Sequence, residues 1–242
     1  MAAIGIIGSE GRMGQALMRA IADAGHDYAG GIDKGGDPAE LAQASDALVD
    51  FSAPAALQAN LSAAQAARVP ILVGTTGLES AHHTALDEAA NEIAVLQTGN
   101  TSLGVTLLAN LVRQAAGKLD EDFDIEIVEM HHRAKVDAPS GTALLLGEAA
   151  AAGRGIALED NCERGRDGHT GARARGAIGF ASLRGGTVAG EHSVILAGQQ
   201  ERLTLSHHAE DRSIFARGAI RGAAWLIGRT AGRYSMDDVL EL

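Results

Sequence analysis

Apolar and polar positions follow two rhythms along the first hundred residues, and the switches between them mark the elements. Ala3-Ile4-Gly5-Ile6-Ile7 is a short continuous apolar run bounded by glycine, the pattern of a buried strand, and a helical spacing follows from about Gln15 to Ala24. The same alternation predicts strands at Tyr28–Ile32, Ala47–Phe51, Pro70–Val73 and Ile93–Gln97. Helices are predicted near Pro38–Gln43, Ala53–Ala67 and Ser80–Asn91. The stretch between Asp33 and Ala47 is too short for a full strand-helix-strand unit, so this region reads as a trimmed α/β domain with a parallel sheet.

The rhythm changes from about Leu103. A helix reaches about Lys118, and Phe123–Met130 reads as a partly buried strand whose alternation breaks near its end. A second helix follows Ser140. After an irregular basic stretch, Arg164–Arg175, three strand-like runs arrive in succession at Ala177–Leu183, Ser193–Ala197 and Arg202–His207, which suggests a mixed or antiparallel sheet and an α+β domain. The apolar helix Ile214–Gly228 is expected to return to the first domain. The expected boundaries are 1–101, 102–211 and 212–242.

Composition narrows the classes. The 242 residues suffice for two domains, and 46% hydrophobic content argues against a disordered chain. No apolar run approaches a membrane span, and the chain enters its first strand at once, so neither a membrane segment nor a cleavable signal is expected. A net charge of −11 argues against a nucleic-acid partner, and the single cysteine, Cys162, excludes an intrachain disulfide and suits a cytoplasmic location. Cys162 lies in a polar, loop-like stretch, where a bland thiol is the better reading. With one cysteine and no His-Glu-x-x-His, no metal site is expected.

Two segments carry candidate chemistry. Gly8-Ser9-Glu10-Gly11-Arg12-Met13-Gly14 sits between the first strand and the first helix, the context of a dinucleotide-binding turn whose glycines admit a pyrophosphate at a helix N-terminus. Glu10 occupies the place of the second glycine of the usual fingerprint. Asp33 follows the next strand at the spacing of a ribose-binding carboxylate, and Lys34 beside it could meet a 2′-phosphate, so both NADH and NADPH stay open. The second segment is Glu129–Thr142, EMHHRAKVDAPSGT. It sets His131, His132 and Lys135 just beyond a strand and opens a helix at Ser140-Gly141-Thr142, whose free N–H groups would hold a carboxylate. A proton donor, a cation and an anion cradle would thus lie on one short segment. A His-His pair in a loop is as a rule solvent-facing, so on these residues alone both readings stand.

A semialdehyde dehydrogenase would need a cysteine nucleophile, and a short-chain dehydrogenase a Tyr-x-x-x-Lys that neither Tyr28 nor Tyr234 supplies. Another two-domain enzyme such as an aspartate dehydrogenase, or a non-catalytic NAD(H) sensor, remains as an alternative.

The motifs GSEGRMG (8–14), VDFSAP (49–54), GTTG (74–77), EMHHRAKVDAPSGTA (129–143), GHTG (168–171), IGFA (178–181), GEH (190–192) and AAWL (223–226) together resemble the 4-hydroxy-tetrahydrodipicolinate (dihydrodipicolinate) reductase family over essentially the whole chain. The resemblance implies a Rossmann-like nucleotide domain plus an α+β domain for substrate binding and tetramerisation. It also implies hydride transfer from NADH or NADPH to a cyclic dicarboxylate in diaminopimelate and lysine biosynthesis. By motif position it implies His131 as acid/base residue, Lys135 as proton donor, and His132, Gly141 and Thr142 as substrate ligands. Gly8, Ser9, Glu10, Gly11, Arg12, Met13, Asp33, Lys34, Gly74, Thr75, Thr76, Thr98, Gly99, Asn100 and Thr101 are implied coenzyme contacts. The chain departs from the family's pattern in carrying Thr101 where a phenylalanine is usual and Thr106 where an asparagine is common, and in the short segment from Asp33 to Asp50.

Overall fold

The computed structural model describes the whole chain, Met1 to Leu242. It divides into two compact units, Met1–Leu103 with Ser213–Leu242, and Gly104–Arg212.

The first unit alternates strands and helices: β1 (Ala3–Ile7), α1 (Arg12–Asp23), β2 (Asp27–Ile32), α2 (Pro38–Gln43), β3 (Ala47–Asp50), α3 (Leu57–Ala67, after a 3₁₀ turn at Pro54–Ala56), β4 (Ile71–Val73), α4 (Ser80–Ala89) and β5 (Ala94–Gln97). The chain leaves through the start of α5 (Leu103–Lys118) and returns as α8 (Ser213–Leu226), β11 (Gly232–Tyr234) and α9 (Met236–Leu240). The strands form one sheet in the order β11-β5-β4-β3-β1-β2, and every pairing is parallel. Parallel strands are covered on both faces, which explains why β1, β3, β4 and β5 read as near-continuous apolar runs. On one face Ile4, Ile6, Val49, Leu72 and Leu96 pack with Leu17 and Ile21 of α1 and with Ala216, Ala219, Ile220 and Ala223 of α8. On the other, Ile7, Leu48, Ile71, Val73 and Val95 pack with Leu41, Leu57, Leu61 and Leu86 from α2, α3 and α4. Each fully buried valine, leucine or isoleucine among them contributes about 1.5–3 kcal/mol. α8 lies close because Gly218 faces the Thr101 carbonyl, where a Cβ would collide. β11 and α9 were not expected from the pattern. Three residues, Gly232-Arg233-Tyr234, form a strand only by pairing with β5.

The second unit holds the rest of α5, then β6 (Asp124–His131), α6 (Gly141–Arg154), α7 (Leu158–Asn161), β7 (Cys162–Arg164), β8 (Ile178–Arg184), β9 (Gly190–Ala197) and β10 (Arg202–Ala209). Its sheet runs β10-β9-β6-β8-β7, antiparallel on the β9 side and parallel on the β8 side. One face is closed by a core that joins Leu108, Val112 and Ala116 of α5 and Leu146 and Ala150 of α6 to Ile125, Ile127, Ile178, Phe180, Val194 and Leu196. α6 begins at Ser140, whose hydroxyl accepts from Ala143 N–H at 3.1 Å, and ends at Gly155 in the left-handed region, φ 67°. The α/β plus α+β fold expected from the pattern is therefore present. Cys162, expected in a loop, instead opens the edge strand β7.

Candidate functional site

In the first unit, the carboxyl ends of the parallel strands collect the polar and glycine-rich loops. Gly8 leaves β1 at φ 90° and its N–H donates to the Ile32 carbonyl at 2.8 Å, tying the turn to the end of β2. Gly14, in the first turn of α1, sits so close to the Gly8 and Ser9 carbonyls that a Cβ would collide with both. Asp33, one residue beyond β2, accepts through Oδ2 from Ser9 Oγ at 2.7 Å and Glu10 N–H at 2.8 Å. The glycine turn, the α1 N-terminus and the carboxylate after β2 are thus held in one piece, with Oδ1 of Asp33 making none of these bonds. Gly11, Arg12 and Lys34 are exposed and Met13 is half-buried. Backbone N–H groups at a helix start, room made by glycine and a carboxylate beside them are the parts that a dinucleotide-binding turn requires.

Gly74 and Thr76 follow β4, with Gly74 pressed against the Phe51 ring, and Thr76 is exposed. Thr75 turns the other way: it is buried and its hydroxyl donates to Asp50 Oδ1 at 3.1 Å. Asp50 is fully buried at the end of β3 and also accepts from Ser52 N–H (2.9 Å), Ser52 Oγ (2.6 Å) and Asn60 Nδ2 (2.9 Å). The pattern placed Asp50 only within the strand Ala47–Phe51, whereas its carboxylate anchors the loops after β3 and β4. After β5, Thr98 Oγ1 donates to the Asn100 carbonyl at 2.8 Å, Gly99 is exposed, and Thr101 Oγ1 donates to the Phe215 carbonyl at 2.7 Å.

In the second unit, the alternation of β6 does not break as expected but runs to its last residue. Ile125, Ile127, Glu129 and His131 all point to the covered face. His131 is therefore the end of the strand, buried, and not a residue just beyond it. Glu129, 1% exposed, gathers four donors. Oε2 receives His131 Nδ1 (2.6 Å) and Arg184 Nη1 (2.8 Å), and Oε1 receives Arg184 Nη2 (2.8 Å) and Ser140 N–H (3.2 Å). Burial alone would raise its pKa. The hydrogen bonds from Arg184 and His131, with a smaller contribution from the nearby Ser182 hydroxyl, outweigh that and bring it down to about 2. Arg184 reaches this carboxylate because Ser182 and Arg184 of β8 stand in register with Glu129 and His131.

His192 of β9 stands opposite Glu129, and its Nε2 lies 2.9 Å from Ser140 Oγ. Burial, and then the neighbouring His131 charge, lower its pKa from 6.5 to about 4, so it is neutral at pH 7. Beyond the strand, His132 N–H donates to the Val188 carbonyl, and its Nε2 accepts from Arg212 at 3.1 Å. The Lys135 ammonium pairs with Asp137 at 2.8 Å, and the Asp137 carbonyl is held by Arg184. Asp137 is more than half exposed, so this is a weak, exchangeable pair. Gly141 is exposed and Thr142 half-buried at the first turn of α6. His131 and the α6 N-terminus thus converge on the Glu129 carboxylate, and Arg184 joins that carboxylate to Asp137, the partner of Lys135. The sequence motif contained Glu129 without a role, and Arg184 was not singled out; a carboxylate on the inward phase of a buried strand is a signal that could have found it.

The basic stretch resolves into ion pairs within the second unit. Arg166 and Arg173 share Glu126, Arg173 also meets Asp124, and Arg175 meets Glu121 and Asp122. No cluster of three or more potential metal ligands exists in the structure.

A glycine-turn parallel-sheet unit and a mixed-sheet unit carrying a histidine–carboxylate–arginine centre define a two-domain pyridine-nucleotide oxidoreductase. Residues 2–101 match the N-terminal part and residues 104–240 the C-terminal part of dihydrodipicolinate reductase. The chain belongs to the dihydrodipicolinate reductase family. It is 54% identical over 246 residues to the 4-hydroxy-tetrahydrodipicolinate reductase of Zymomonas mobilis, covering 99% of this chain and 97% of that one. It is 58% identical over 212 residues to that of Methylocella silvestris, covering 88% and 78%. The fold is shared with a dipicolinate-bound dihydrodipicolinate reductase from Paenisporosarcina sp. TG-14, at TM-score 0.75, 21% identity and 97% coverage of each chain. A DAP dehydrogenase of C. glutamicum has the same general fold at TM-score 0.56 and 12% identity, covering 97% of this chain and 92% of that one.

Proposed function

We propose that this chain reduces 4-hydroxy-tetrahydrodipicolinate with loss of its 4-hydroxyl as water, or the dihydrodipicolinate that such dehydration yields, to tetrahydrodipicolinate in diaminopimelate and lysine biosynthesis. The observation that carries the reading is the convergence on Glu129: one carboxylate binds both the His131 imidazole, at 2.6 Å, and the first N–H of the α6 cap, at 3.2 Å. A proton-exchanging ring and a carboxylate-binding helix start are thereby fixed a few ångströms apart. A cyclic dicarboxylate imine needs that pair of groups.

The reduced nicotinamide supplies the hydride. Addition of hydride to a conjugated imine leaves negative charge shared between carbon and nitrogen, which must be neutralised by one proton. His131 supplies and recovers protons at Nε2, because Nδ1 is committed to Glu129. Lys135 leaves its exposed partner Asp137 to face a substrate carboxylate or the developing charge, as proton donor and cation. Gly141 and Thr142 N–H groups receive a carboxylate at the α6 N-terminus, and His132 binds substrate alongside them. In the first unit the 8–13 turn takes the pyrophosphate, Asp33 takes the ribose, and Lys34 meets a 2′-phosphate when one is present. Gly74–Thr76 and Thr98–Thr101 border the same crevice at the strand ends. With a carboxylate at Asp33 and a single flexible lysine beside it, both coenzymes serve, NADH at least as well as NADPH.

We also infer a homotetramer in the cytoplasm. The uncovered face of the second unit's sheet carries half-buried Val128, Met130 and Ile195 and a Leu183 that is 50% exposed, an apolar surface suited to a second copy. No helix is long and apolar enough to cross a membrane.

Purified protein should consume reduced nicotinamide, followed by its absorbance, when the aldolase condensation product of the lysine route is added. No consumption with either coenzyme would overturn the proposal. Sedimentation velocity should give four times the chain mass, and a monomer would overturn the assembly.

A further inference from the structure

Glu129 is the most constrained carboxylate of the second unit, and nothing in the reaction needs it to touch substrate. It is 1% exposed, and its two oxygens accept four hydrogen bonds from three different elements. Arg184 grips it as a fork, one N–H to each oxygen at 2.8 Å, the geometry that makes an arginine–carboxylate pair directional. An ionised carboxylate can only accept hydrogen bonds, so the 2.6 Å contact requires the proton on Nδ1 of His131. Nε2 is then the only ring nitrogen that exchanges a proton. It faces Gly190 of β9, where a Cβ would stand 3.0 Å away.

We propose that Glu129, clamped by Arg184, is the positioning residue of the reaction: it fixes the tautomer and orientation of His131 and sets the distance from that ring to the α6 N-terminus through Ser140. This deepens the proposed function and rests on His131 being the proton-exchanging group. The logic is that of a histidine held by a buried acid, here with an arginine keeping the acid ionised and in place. Arg184 has a second duty, because its Nη2 also binds the Asp137 carbonyl at 2.7 Å and so steadies the loop that carries Lys135.

Glutamine at 129 tests this with almost no change of shape. Its single oxygen must serve Arg184 and Ser140, so its NH₂ is turned to Nδ1. The ring is then forced to accept there and to carry its proton on Nε2 instead. In Glu129→Gln, kcat should fall at least about tenfold while KM for the dicarboxylate stays within about threefold, since the oxygen toward Ser140 is retained. Nitrogen-15 NMR of the wild-type protein should show the neutral His131 ring protonated at Nδ1 and bare at Nε2. In the variant the neutral ring should show the opposite tautomer.

A wild-type ring protonated at Nε2 and bare at Nδ1 at high pH would overturn the proposal, and that measurement decides even if Glu129→Gln fails to fold. So would a folded Glu129→Gln enzyme with unchanged kcat. His131→Gln separates the two levels: if it is inactive while Glu129→Gln turns over normally, only the positioning role falls. If His131→Gln itself turns over normally, the assignment of His131 falls instead, and the positioning proposal with it.

Discussion

His192 meets His131 edge to face, with ring centroids 5.1 Å apart and planes 74° apart. The two rings belong to neighbouring strands and have opposite surroundings. His131 has a carboxylate on Nδ1, whereas His192 has Ser140 Oγ on Nε2 and no partner on Nδ1. Charge on His192 would add a second cation beside His131, and its burial opposes that.

Stability should therefore fall on acidification in two stages. His192 binds its proton near pH 4 when folded but near 6.5 when unfolded, so its contribution is complete above pH 6.5 and disappears as pH falls to 4. Glu129 is lowered from 4.5 to about 2, so its contribution is complete above 4.5 and is lost toward pH 2. The groups facing His192 are His131, Glu129, His207 and Lys135. The first stage is worth up to about 3 kcal/mol. Urea unfolding at intervals between pH 7.5 and 4.5 should show a shallower loss in His192→Asn than in wild type, and parallel curves would refute the assignment.

Gly190→Ala should injure catalysis more than folding. The new Cβ would lie 3.0 Å from His131 Nε2 and 3.5 Å from His192 Cε1, displacing the ring whose position matters. A displacement of this kind costs between about 10- and 100-fold in kcat. The check is steady-state kinetics beside a thermal melt. A variant with wild-type kcat would mean that the ring has room to spare.

Asp50→Ala should destabilise the first unit by about 2–4 kcal/mol, because it strands Ser52, Asn60 and Thr75 donors in or near the core. KM for coenzyme should rise with it, since the loops after β3 and β4 lose their anchor. Denaturant unfolding measures the first effect, and a loss below about 1 kcal/mol would show that these donors find other partners.

Coenzyme choice should hinge on Lys34. Lys34→Ala is expected to raise KM for NADPH and leave NADH almost unchanged, because only one coenzyme carries the 2′-phosphate. The measurement is kcat/KM for each at fixed ionic strength. Equal losses for both, or a wild-type preference for NADPH above about tenfold, would contradict the role given to Asp33 and Lys34.

The elements of the parallel-sheet unit were legible because each is written locally: β1 as Ile4-Gly5-Ile6-Ile7, and α2 as Asp37-Pro38 with a side chain accepting from Ala39 N–H; α5, read from about Leu103 to about Lys118, was legible for the same reason. The histidines, the lysine and the helix start were legible because they share one segment. What escaped was made by register between distant strands. Arg184 and His192 reach Glu129 from 55 and 63 positions away through pairing of β6 with β8 and β9, which no local pattern encodes. β7 and β11 escaped for the same reason, being three-residue strands that exist only by virtue of their neighbours. Asp50 was hidden because a single acid among apolar residues looks like the end of a strand, and its burial is visible only once Asn60 and Thr75 fold over it.

The discontinuity of the first unit bears on how the chain is made. One face of its sheet, with Ile4, Ile6, Val49 and Leu72, is closed in part by Ala216, Ala219, Ile220 and Ala223, and its edge by Gly232–Tyr234. During synthesis those strands leave the ribosome more than a hundred residues before the helix that covers them, whereas Gly104–Arg212 emerges as an uninterrupted piece. The order of birth is thus the reverse of the order of completion: the second unit can finish folding while the first still exposes an apolar face, the condition in which nascent chains attract chaperones or one another. A chain stopped at Arg212 should accordingly yield a protease-resistant fragment from the second unit and none from the first.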